Sequence, residues 1–219
     1  MWEPLILSFT LSLITTVILL LIGIPVAYWL SQSKSRLKPV FESIISLPMV
    51  LPPSVLGFYL LLAFSPNNFF GEFLNEYFNI RLLFSFEGLI IASVIYSLPF
   101  MIHPIQSGLQ NLSPSLKDAA YTLGISHRKT LLHVLLPNIK PALLTGIVLT
   151  FAHTVGEFGV VMMIGGNIPG VTKVASLAIY DEVESMNYDA ANFYSLLLLM
   201  LSFAILFLLF VFNKKWKSR

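Results

Sequence analysis

The hydrophobic positions of the chain fall into five long stretches separated by polar segments. Each stretch approaches the roughly 20 residues that an α-helix needs to cross a bilayer. The predicted spans are residues 5–30, 44–64, 88–105, 142–164 and 193–212, and segments 65–87 and 165–192 are predicted to be long loops. The first stretch has neither a basic leader nor a small-residue cleavage site, so we expect it to remain as a span. The pattern predicts a single all-α, multi-pass membrane domain over residues 1–219.

Composition supports a membrane protein and argues against several other classes. Hydrophobic residues make up 56% of the 219 residues and charged residues 11%, and the mean hydropathy is +0.82. A soluble domain carries roughly 25% charged residues. The net charge of +2 does not favour nucleic acid as a partner, so membrane lipid is the expected environment. Cysteine is absent, which excludes disulfides, thiolate metal sites and cysteine nucleophiles.

Basic residues cluster beside the apolar stretches and orient them. With five spans, all of the 13 Lys and Arg residues except Arg81 and Lys173 fall on one side of the membrane. Those on that side are Lys34, Arg36, Lys38, Lys117, Arg128, Lys129, Lys140, Lys214, Lys215, Lys217 and Arg219. The positive-inside rule makes that side cytoplasmic. We therefore predict a protein of the cytoplasmic membrane with its N-terminus outside and its C-terminus in the cytoplasm.

Segment 113–137 is polar although it lies between two spans, and its first residues predict a short helix. Ser113 suits the N-cap, Pro114 suits the first turn, and Gly124 suits the left-handed conformation that ends a helix. An apolar stripe with spacing i, i+3, i+4 and i+7 consists of Leu116, Ala119, Ala120 and Leu123. The small residues would let a partner approach closely. This helix either docks on a cytoplasmic partner or packs on its own chain.

Three prolines, Pro48, Pro52 and Pro53, interrupt the first half of the second span. Each proline removes a backbone donor and opposes a straight helix. Broken backbone at membrane depth persists only where protein or a water-filled cavity satisfies it. We therefore predict a kinked helix that lines a translocation pathway, with Ser54 and Gly57 beside the kink. Alternatively, the prolines form a cytoplasmic turn and the true span begins near Ser54.

The fourth span contains an acidic residue at membrane depth, Glu157. The candidate pathway or gate residues of this span are Thr150, His153, Thr154, Gly156, Glu157 and Gly159. Thr150, His153 and Glu157 share one helical face, and ionisable groups inside a membrane usually face a bundle interior or a water cavity. Glu157 lies about 24 Å along the helix from Pro141, toward the outer leaflet.

The role of Glu157 stays open between gating, substrate contact and a hydrogen bond to exposed backbone near the glycines. A structural or gating role is slightly favoured over substrate contact, because a carboxylate repels an anion. The four histidines lack ligand spacing with one another, so no metal site is predicted.

The sequence contains no Gly-x-x-x-x-Gly-Lys-Ser/Thr phosphate-binding loop. The chain is therefore not expected to bind or hydrolyse ATP, and we predict no bound cofactor and no catalytic residue.

The polar segment carries a motif that resembles the cytoplasmic EAA signature of ABC-importer permeases. That signature is Glu-Ala-Ala, three residues, Gly, nine residues, Ile, one residue, Leu-Pro. This chain has Asp118-Ala119-Ala120, Gly124, Val134 and Leu136-Pro137 at the same spacing. The two departures, Asp for Glu and Val for Ile, keep the charge and the apolar character.

Other segments resemble the molybdate permeases within that superfamily, and the similarity covers nearly the whole chain. They are Leu47-Pro48-Met49-Val50-Leu51-Pro52-Pro53, Gly156-Glu157-Phe158-Gly159, and Asn167-Ile168-Pro169-Gly170 with Thr172. Sulfate and thiosulfate permeases share the Gly-Glu-Phe-Gly element but are similar over less of the outer loop. The resemblance implies import of molybdate or tungstate, with sulfate or thiosulfate as the alternative.

The resemblance also implies a type I ABC importer permease fold and a set of partners. Two permease chains would form the pathway, a cytoplasmic ATPase dimer would hold ATP and Mg, and an extracytoplasmic binding protein would deliver the oxyanion. Each permease would place its coupling helix in a groove of an ATPase. The residues expected at that contact are Leu116, Asp118, Ala119, Ala120, Leu123, Gly124, Leu136 and Pro137.

No Lys or Arg lies in the middle of a predicted span, so tight oxyanion binding within the membrane is not expected. Hydroxyls of Ser54, Thr150 and Thr154 would solvate a passing anion, and selectivity would belong mainly to the binding protein. A stand-alone secondary anion transporter or channel is a second class of function, but it gives the EAA-like motif no role. A membrane scaffold is a third class, and its function would not require the kinked span.

Overall fold

The computed structural model describes the backbone of residues 2–217 and the side chains of residues 2–211. The predicted basic cluster at Lys214, Lys215, Lys217 and Arg219 therefore lies outside the described side chains. Every regular element in the described part is a helix, which confirms the all-α class.

The helices are α1 (Glu3–Gln32), α2 (Lys38–Val50), α3 (Pro53–Phe64), α4 (Phe69–Phe78), α5 (Phe86–Gln110), α6 (Pro114–Thr122), α7 (His127–Thr130), α8 (Leu136–Asn138), α9 (Lys140–Val155), α10 (Gly159–Gly165), α11 (Ala175–Glu184) and α12 (Tyr188–Lys217). A π-helical turn, Leu131–Leu135, joins α7 to α8.

Among the described residues, three helices, α1, α5 and α12, are each long and apolar enough to cross a membrane. Two bent pairs, α2 with α3 and α7–α8 with α9, bring the number to five if each pair is one span. Helices α1, α5 and α9 pack against one another and form the centre of the molecule. Gly23 permits the close approach of α1 to α5, because a Cβ there would lie 2.9 Å from Cγ of Met101.

The second predicted span is two helices rather than one kinked helix. Helices α2 and α3 are bent by 111° at a break after Val50. Leu51 is extended, with ψ near 136°, as expected for a residue before proline, and Pro52 is extended as well. Helix α2 also begins at Lys38, six residues before the predicted start.

The fourth predicted span is interrupted, so the prediction of one continuous helix over residues 142–164 is wrong. Helix α9 ends at Val155, and α10 begins at Gly159. Glu157 lies in the break, not on a helical face with Thr150 and His153. The three-residue spacing of polar and glycine residues predicts a helical stripe, but it does not reveal where the helix stops.

Both long segments predicted as loops contain a helix. Helix α4 lies within residues 65–87 and α11 lies within residues 165–192. The α11 helix packs on α12 and contacts α1. Leu5, Ala175, Ala178 and Tyr194 form a small apolar cluster at this junction.

The apolar core has two main parts. One part holds Leu11, Leu89 and Val160 with their neighbours, and the other holds Leu19, Met101 and Leu135 with theirs. Hydroxyl-bearing residues lie between these parts along α1, α5 and α9; they are Thr15, Thr16, Ser93, Ser97, Thr150 and Thr154. We call these six residues, together with Glu157, the polar layer.

Candidate functional site

The predicted coupling helix is α6, and its end has the geometry that the sequence predicts. Gly124 has φ +74°, in the left-handed region. The Gly124 amide donates to the carbonyl of Tyr121 at 2.9 Å, and the Ile125 amide donates to the carbonyl of Ala120 at 3.1 Å. This pair of bonds is a Schellman motif, which satisfies the last carbonyls of the helix. The predicted left-handed conformation of Gly124 is confirmed.

The start of α6 differs from the prediction in one bond. Ser113 occupies the N-cap position and Pro114 lies in the first turn. The Ser113 side chain makes no capping hydrogen bond, because its hydroxyl lies 2.7 Å from the hydroxyl of Ser115 instead. Backbone geometry and the proline therefore define this end of α6, without the predicted side-chain cap.

The predicted docking residues divide into an exposed set and a packed set. Leu123 is 78% exposed, and Asp118, Ala119, Gly124 and Pro137 are exposed as well. Ala120 is only 4% exposed, and Leu116 and Leu136 are half-buried against their own chain. The apolar stripe predicted as a single docking face is thus shared between the chain's own core and solvent. We call Asp118, Ala119, Leu123 and Gly124 the exposed edge of α6.

Helix α6 is attached to the end of α1 and to α7 by polar contacts. The Lys117 ammonium donates to the side-chain oxygen of Gln32 at the end of α1. Nδ1 of His127 lies 2.7 Å from the hydroxyl of Tyr121. Beyond α7, Leu135 and Ile139 are buried in the core beside α5, so the chain after α6 is anchored before α9 begins.

The two helix breaks lie against each other. Helix α10 packs on α3, and Gly159 is so close to Pro53 that a Cβ at residue 159 would lie 2.7 Å from the proline Cβ. A Cβ on the buried Gly57 would lie 3.0 Å from Cβ of Met163. The structure therefore brings together three predicted gate residues, Pro53, Gly57 and Gly159, which we call the break contact.

Four other predicted residues of this region do not belong to the break contact. Pro48 is buried within α2, whereas Pro52 and Ser54 are exposed beside the α2–α3 break. Gly156 is exposed in the other break, and a Cβ there would meet nothing closer than 3.7 Å.

Glu157 is buried and joins three parts of the chain. The hydroxyl of Ser93 in α5 donates to Oε2 of Glu157 at 2.9 Å. The hydroxyl of Ser176 in α11 donates to the backbone carbonyl of Glu157 at 2.5 Å. Side chain and backbone of one residue thus hold the α9–α10 break against α5 and α11.

Two polar side chains of α9, His153 and Thr154, also contact α5. The hydroxyl of Ser97 lies 3.0 Å from Oγ1 of Thr154 and 3.0 Å from Nδ1 of His153. The His153 ring stacks on Phe100 with a centroid distance of 4.0 Å. His153 is therefore held by neighbouring side chains of its own chain.

Thr150 and Thr154 are buried inside this chain, at 0% and 2% exposure. The expectation that both hydroxyls solvate a passing anion does not fit this burial, and Oγ1 of Thr154 contacts the hydroxyl of Ser97 in α5 instead. Ser54, the third hydroxyl of that prediction, is exposed. Within the described side chains, Oγ1 of Thr150 and Oε1 of Glu157 have no hydrogen-bond partner.

Sequence reasoning omits several members of this network, including Ser93, Ser97 and Ser176. Serine is common in helices and loops, and a single one carries no signal of burial. The usable signal is a repeat at i and i+4 within an apolar span, which Ser93 and Ser97 show in α5 and Ser8 and Ser12 show in α1. All four of these residues are buried.

The described part of the chain contains no group of three or more His, Asp or Glu residues placed to hold a metal ion. The polar layer instead offers a carboxylate and hydroxyls, and the imidazole of His153 contacts it through the hydroxyl of Ser97. Its chemistry is that of a hydrogen-bonded helix junction.

Comparison with known proteins identifies the class. The family model described as "Binding-protein-dependent transport system inner membrane component" matches residues 19–217. The chain belongs to this family, whose members are permease components of ABC transporters and not enzymes themselves. It is a multi-pass inner-membrane component of a binding-protein-dependent transport system.

Individual relatives include permeases named for molybdenum and for sulfate transport. The chain is 42% identical to the molybdenum transport system permease protein ModB of Azotobacter vinelandii, over 93% of this chain and 90% of that protein. It is 33% identical to the putative molybdenum transport system permease protein YvgM of Bacillus subtilis, over 98% of this chain and 93% of that protein. It is 34% identical to the sulfate transport system permease protein CysT of Salmonella typhimurium, over 84% of this chain and 66% of that protein.

Solved structures support the fold. The inward-facing MetNI methionine ABC transporter matches with TM-score 0.70 and 18% identity, over 98% of this chain and 93% of that chain. A bacterial ABC transporter that imports alginate matches with TM-score 0.74 and 16% identity, over 96% of this chain and 79% of that chain. The chain thus has the fold of the type I ABC importer permeases, as predicted.

Proposed function

We propose that this chain is the membrane subunit of an ATP-driven importer of molybdate or tungstate. The observation that supports coupling is the exposed edge of α6, which contains Asp118, Ala119 and Gly124 of the EAA-like motif and ends in a Schellman turn. The 42% identity to the Azotobacter vinelandii molybdenum permease supports the choice of substrate.

The proposed assembly contains two copies of this chain, a cytoplasmic ATPase dimer and an extracytoplasmic oxyanion-binding protein. ATP and Mg would act in the ATPase subunits only. The N-terminus would lie outside and α6 in the cytoplasm, since the positive-inside rule places Lys117, Arg128 and Lys129 there. The exposed edge of α6 would then face the ATPase groove.

Motion of α6 can be transmitted to the membrane-spanning part through chain connectivity and helix packing. The route runs from α6 through α7, the π-helical turn and α8 into α9, whose far end is the break at Glu157. Helix α10 follows that break and packs on α3. Closure of the ATPase dimer would therefore shift the break contact, which we propose as part of the gate.

The oxyanion would pass along a surface that this chain shares with its second copy. Pro52 and Ser54 are exposed beside the α2–α3 break, so they are the residues we assign to that surface. The buried Thr150, Thr154 and Glu157 would instead hold the gate helices in register. Weak contacts along the route suit transport, because tight binding would slow release.

The proposal is tested by uptake into proteoliposomes that contain the permease, its ATPase and its binding protein. Radiolabelled molybdate should accumulate only with ATP, and unlabelled tungstate should compete far better than sulfate. Uptake that proceeds at the same rate without ATP would overturn the proposal in favour of a secondary transporter.

Sulfate is the second candidate substrate, because this chain is also related to the Salmonella typhimurium sulfate permease, with 34% identity. The same assay separates the two cases. Efficient competition by sulfate and thiosulfate, with weak competition by tungstate, would assign the chain to a sulfate importer and leave the coupling mechanism unchanged.

A further inference from the structure

A groove lies beside α6, where the last turns of α1 meet the start of α7. Its volume is about 340 Å³. The residues that line it are Tyr28, Trp29, Gln32, Ser33, Lys117, Tyr121 and His127. Three of these side chains are aromatic, two carry basic nitrogens, and none of the described lining residues is acidic. Aromatic walls with basic groups fit a ligand that has both an apolar part and an anionic part.

Lys117 is central to this groove. Its ammonium donates to Gln32 of α1 and lies 5.7 Å from the centroid of the Tyr121 ring. His127 also contacts Tyr121, with Nδ1 2.7 Å from the tyrosine hydroxyl. Asp118 points into a separate cavity of about 290 Å³, which Lys117 also lines. The groove itself therefore presents positive charge.

The groove lies at the level where a membrane ends. Trp29 is 45% exposed and lies in the last turn of α1, the first membrane-spanning helix. Tryptophan is enriched at membrane–water interfaces, where its ring packs on the lipid and its N–H contacts the headgroups. The exposed Lys34 and Arg36 follow directly after α1. Basic residues immediately beyond a span attract anionic lipids.

We propose that this groove binds an anionic phospholipid, with the lipid phosphate at Lys117 and His127 and the upper acyl chain against Tyr28 and Trp29. The proposal rests on the cytoplasmic orientation given above. A bound lipid would connect the end of α1 to α6, so the membrane would help to fix the position of the coupling helix. The proposed lipid does not contact the transported oxyanion.

Native mass spectrometry of the full transporter complex tests the proposal directly. The complex is purified in mixtures of phosphatidylglycerol and phosphatidylcholine, and the lipids that remain on the permease are counted. We expect phosphatidylglycerol to be retained in preference to phosphatidylcholine. Lys117→Gln should lower that retention by roughly fivefold, whereas Lys117→Arg should restore it.

Lys140→Gln is the matched control, because Lys140 is an exposed lysine on the same proposed side of the membrane, outside the groove. It should retain phosphatidylglycerol as the wild type does. Equal retention by Lys117→Gln and the wild type would overturn the proposal, as would displacement of the lipid by an excess of inorganic phosphate. The count of bound lipid does not depend on which oxyanion is transported, so failure here is distinct from failure of the uptake assay.

Discussion

At the scale of single residues, Gly124 is the position where backbone conformation matters most. Its φ of +74° costs an ordinary L-residue roughly 1–2 kcal/mol, and a β-branched residue is especially unfavourable there. A side chain itself would meet no obstacle, because nothing lies within 4 Å of the Cβ position. Gly124→Val should therefore insert normally and bind the ATPase poorly, with ATP-driven uptake strongly reduced.

Gly124→Asn is the matched control, since asparagine tolerates the left-handed region. We expect it to recover the ATPase on an affinity column at nearly the wild-type level. Wild-type uptake by the valine variant would show that the left-handed turn is not required for coupling.

Glu157 is the second residue that can be tested by substitution. Its role can be separated into charge and hydrogen bonding. Glu157→Gln keeps an oxygen that can accept from Ser93, whereas Glu157→Leu leaves the buried Ser93 hydroxyl without that acceptor. The unsatisfied group costs about 1–3 kcal/mol. We expect the Gln variant to keep thermal stability and uptake and the Leu variant to lose both.

Thermal unfolding of the purified permease, followed by uptake assays, distinguishes these roles. If Glu157→Gln loses uptake as completely as Glu157→Leu, the negative charge itself is needed and the hydrogen-bonding account of Glu157 is wrong.

Residue identity predicts the chemistry of the site better than it predicts side-chain direction. Gly124 is predictable because few residues adopt its backbone conformation. The burial of Ala120 is not, because an alanine on a short apolar stripe suits a docking face and the chain's own core equally well. Thr150 illustrates the same limit, since its direction depends on how α1 and α5 pack around α9.

At the scale of elements, the break contact between α3 and α10 depends on the absence of a side chain at Gly159. A Cβ there would lie 2.7 Å from Cβ of Pro53, whose rigid ring cannot rotate away. We expect Gly159→Ala to separate the two helices at a cost of about 1–3 kcal/mol. Uptake should fall while the ATPase subunits still bind, because the coupling helix is unchanged.

Gly156→Ala tests the same substitution in the same break without the clash, since the nearest atoms lie 3.7 Å from the added Cβ. Its uptake should match the wild type. Equal loss in both variants would point to general flexibility of the break and against a specific contact at Gly159.

The long spans were predictable and the breaks were only partly so. Length and hydropathy suffice for α1, α5 and α12, because each is a single apolar helix. Pro52 and Pro53 predict a kink between α2 and α3, but the 111° bend depends on packing against α10. The end of α9 at Val155 has no proline to mark it. Gly156 occupies the C-cap position, and hydrogen bonds from Ser93 and Ser176 to Glu157 hold the break against α5 and α11. The sequence pattern does not contain these tertiary contacts.

At the scale of the whole molecule, the proposed orientation can be tested with single cysteines because the chain has none of its own. Asn67 lies in the segment between α3 and α4, and Ser35 lies between α1 and α2; both are exposed. A membrane-impermeant maleimide applied to whole cells should label Asn67→Cys and leave Ser35→Cys unlabelled. The reverse pattern would invert the topology and place α6 outside the cell.

The class of the molecule was predictable from sequence because three independent features agree: an apolar composition, basic residues on one side of the predicted spans, and an EAA-like motif at the matching spacing. The assembly is harder to predict, because the contacts between two copies and with the ATPase involve surfaces of other chains. The exposed edge of α6 is the part of that assembly that this chain displays by itself.

The central claim is that α6 docks on a partner ATPase, and site-specific labelling of Leu123→Cys tests it most directly. Leu123 is 78% exposed in this chain, and Leu132, 56% exposed on the following π-helical turn, provides the matched control Leu132→Cys. In the isolated permease both cysteines should react readily with a maleimide. In the assembled, transport-competent complex Leu123→Cys should be protected and Leu132→Cys should still react. Equal labelling of Leu123→Cys with and without the ATPase would contradict the claim.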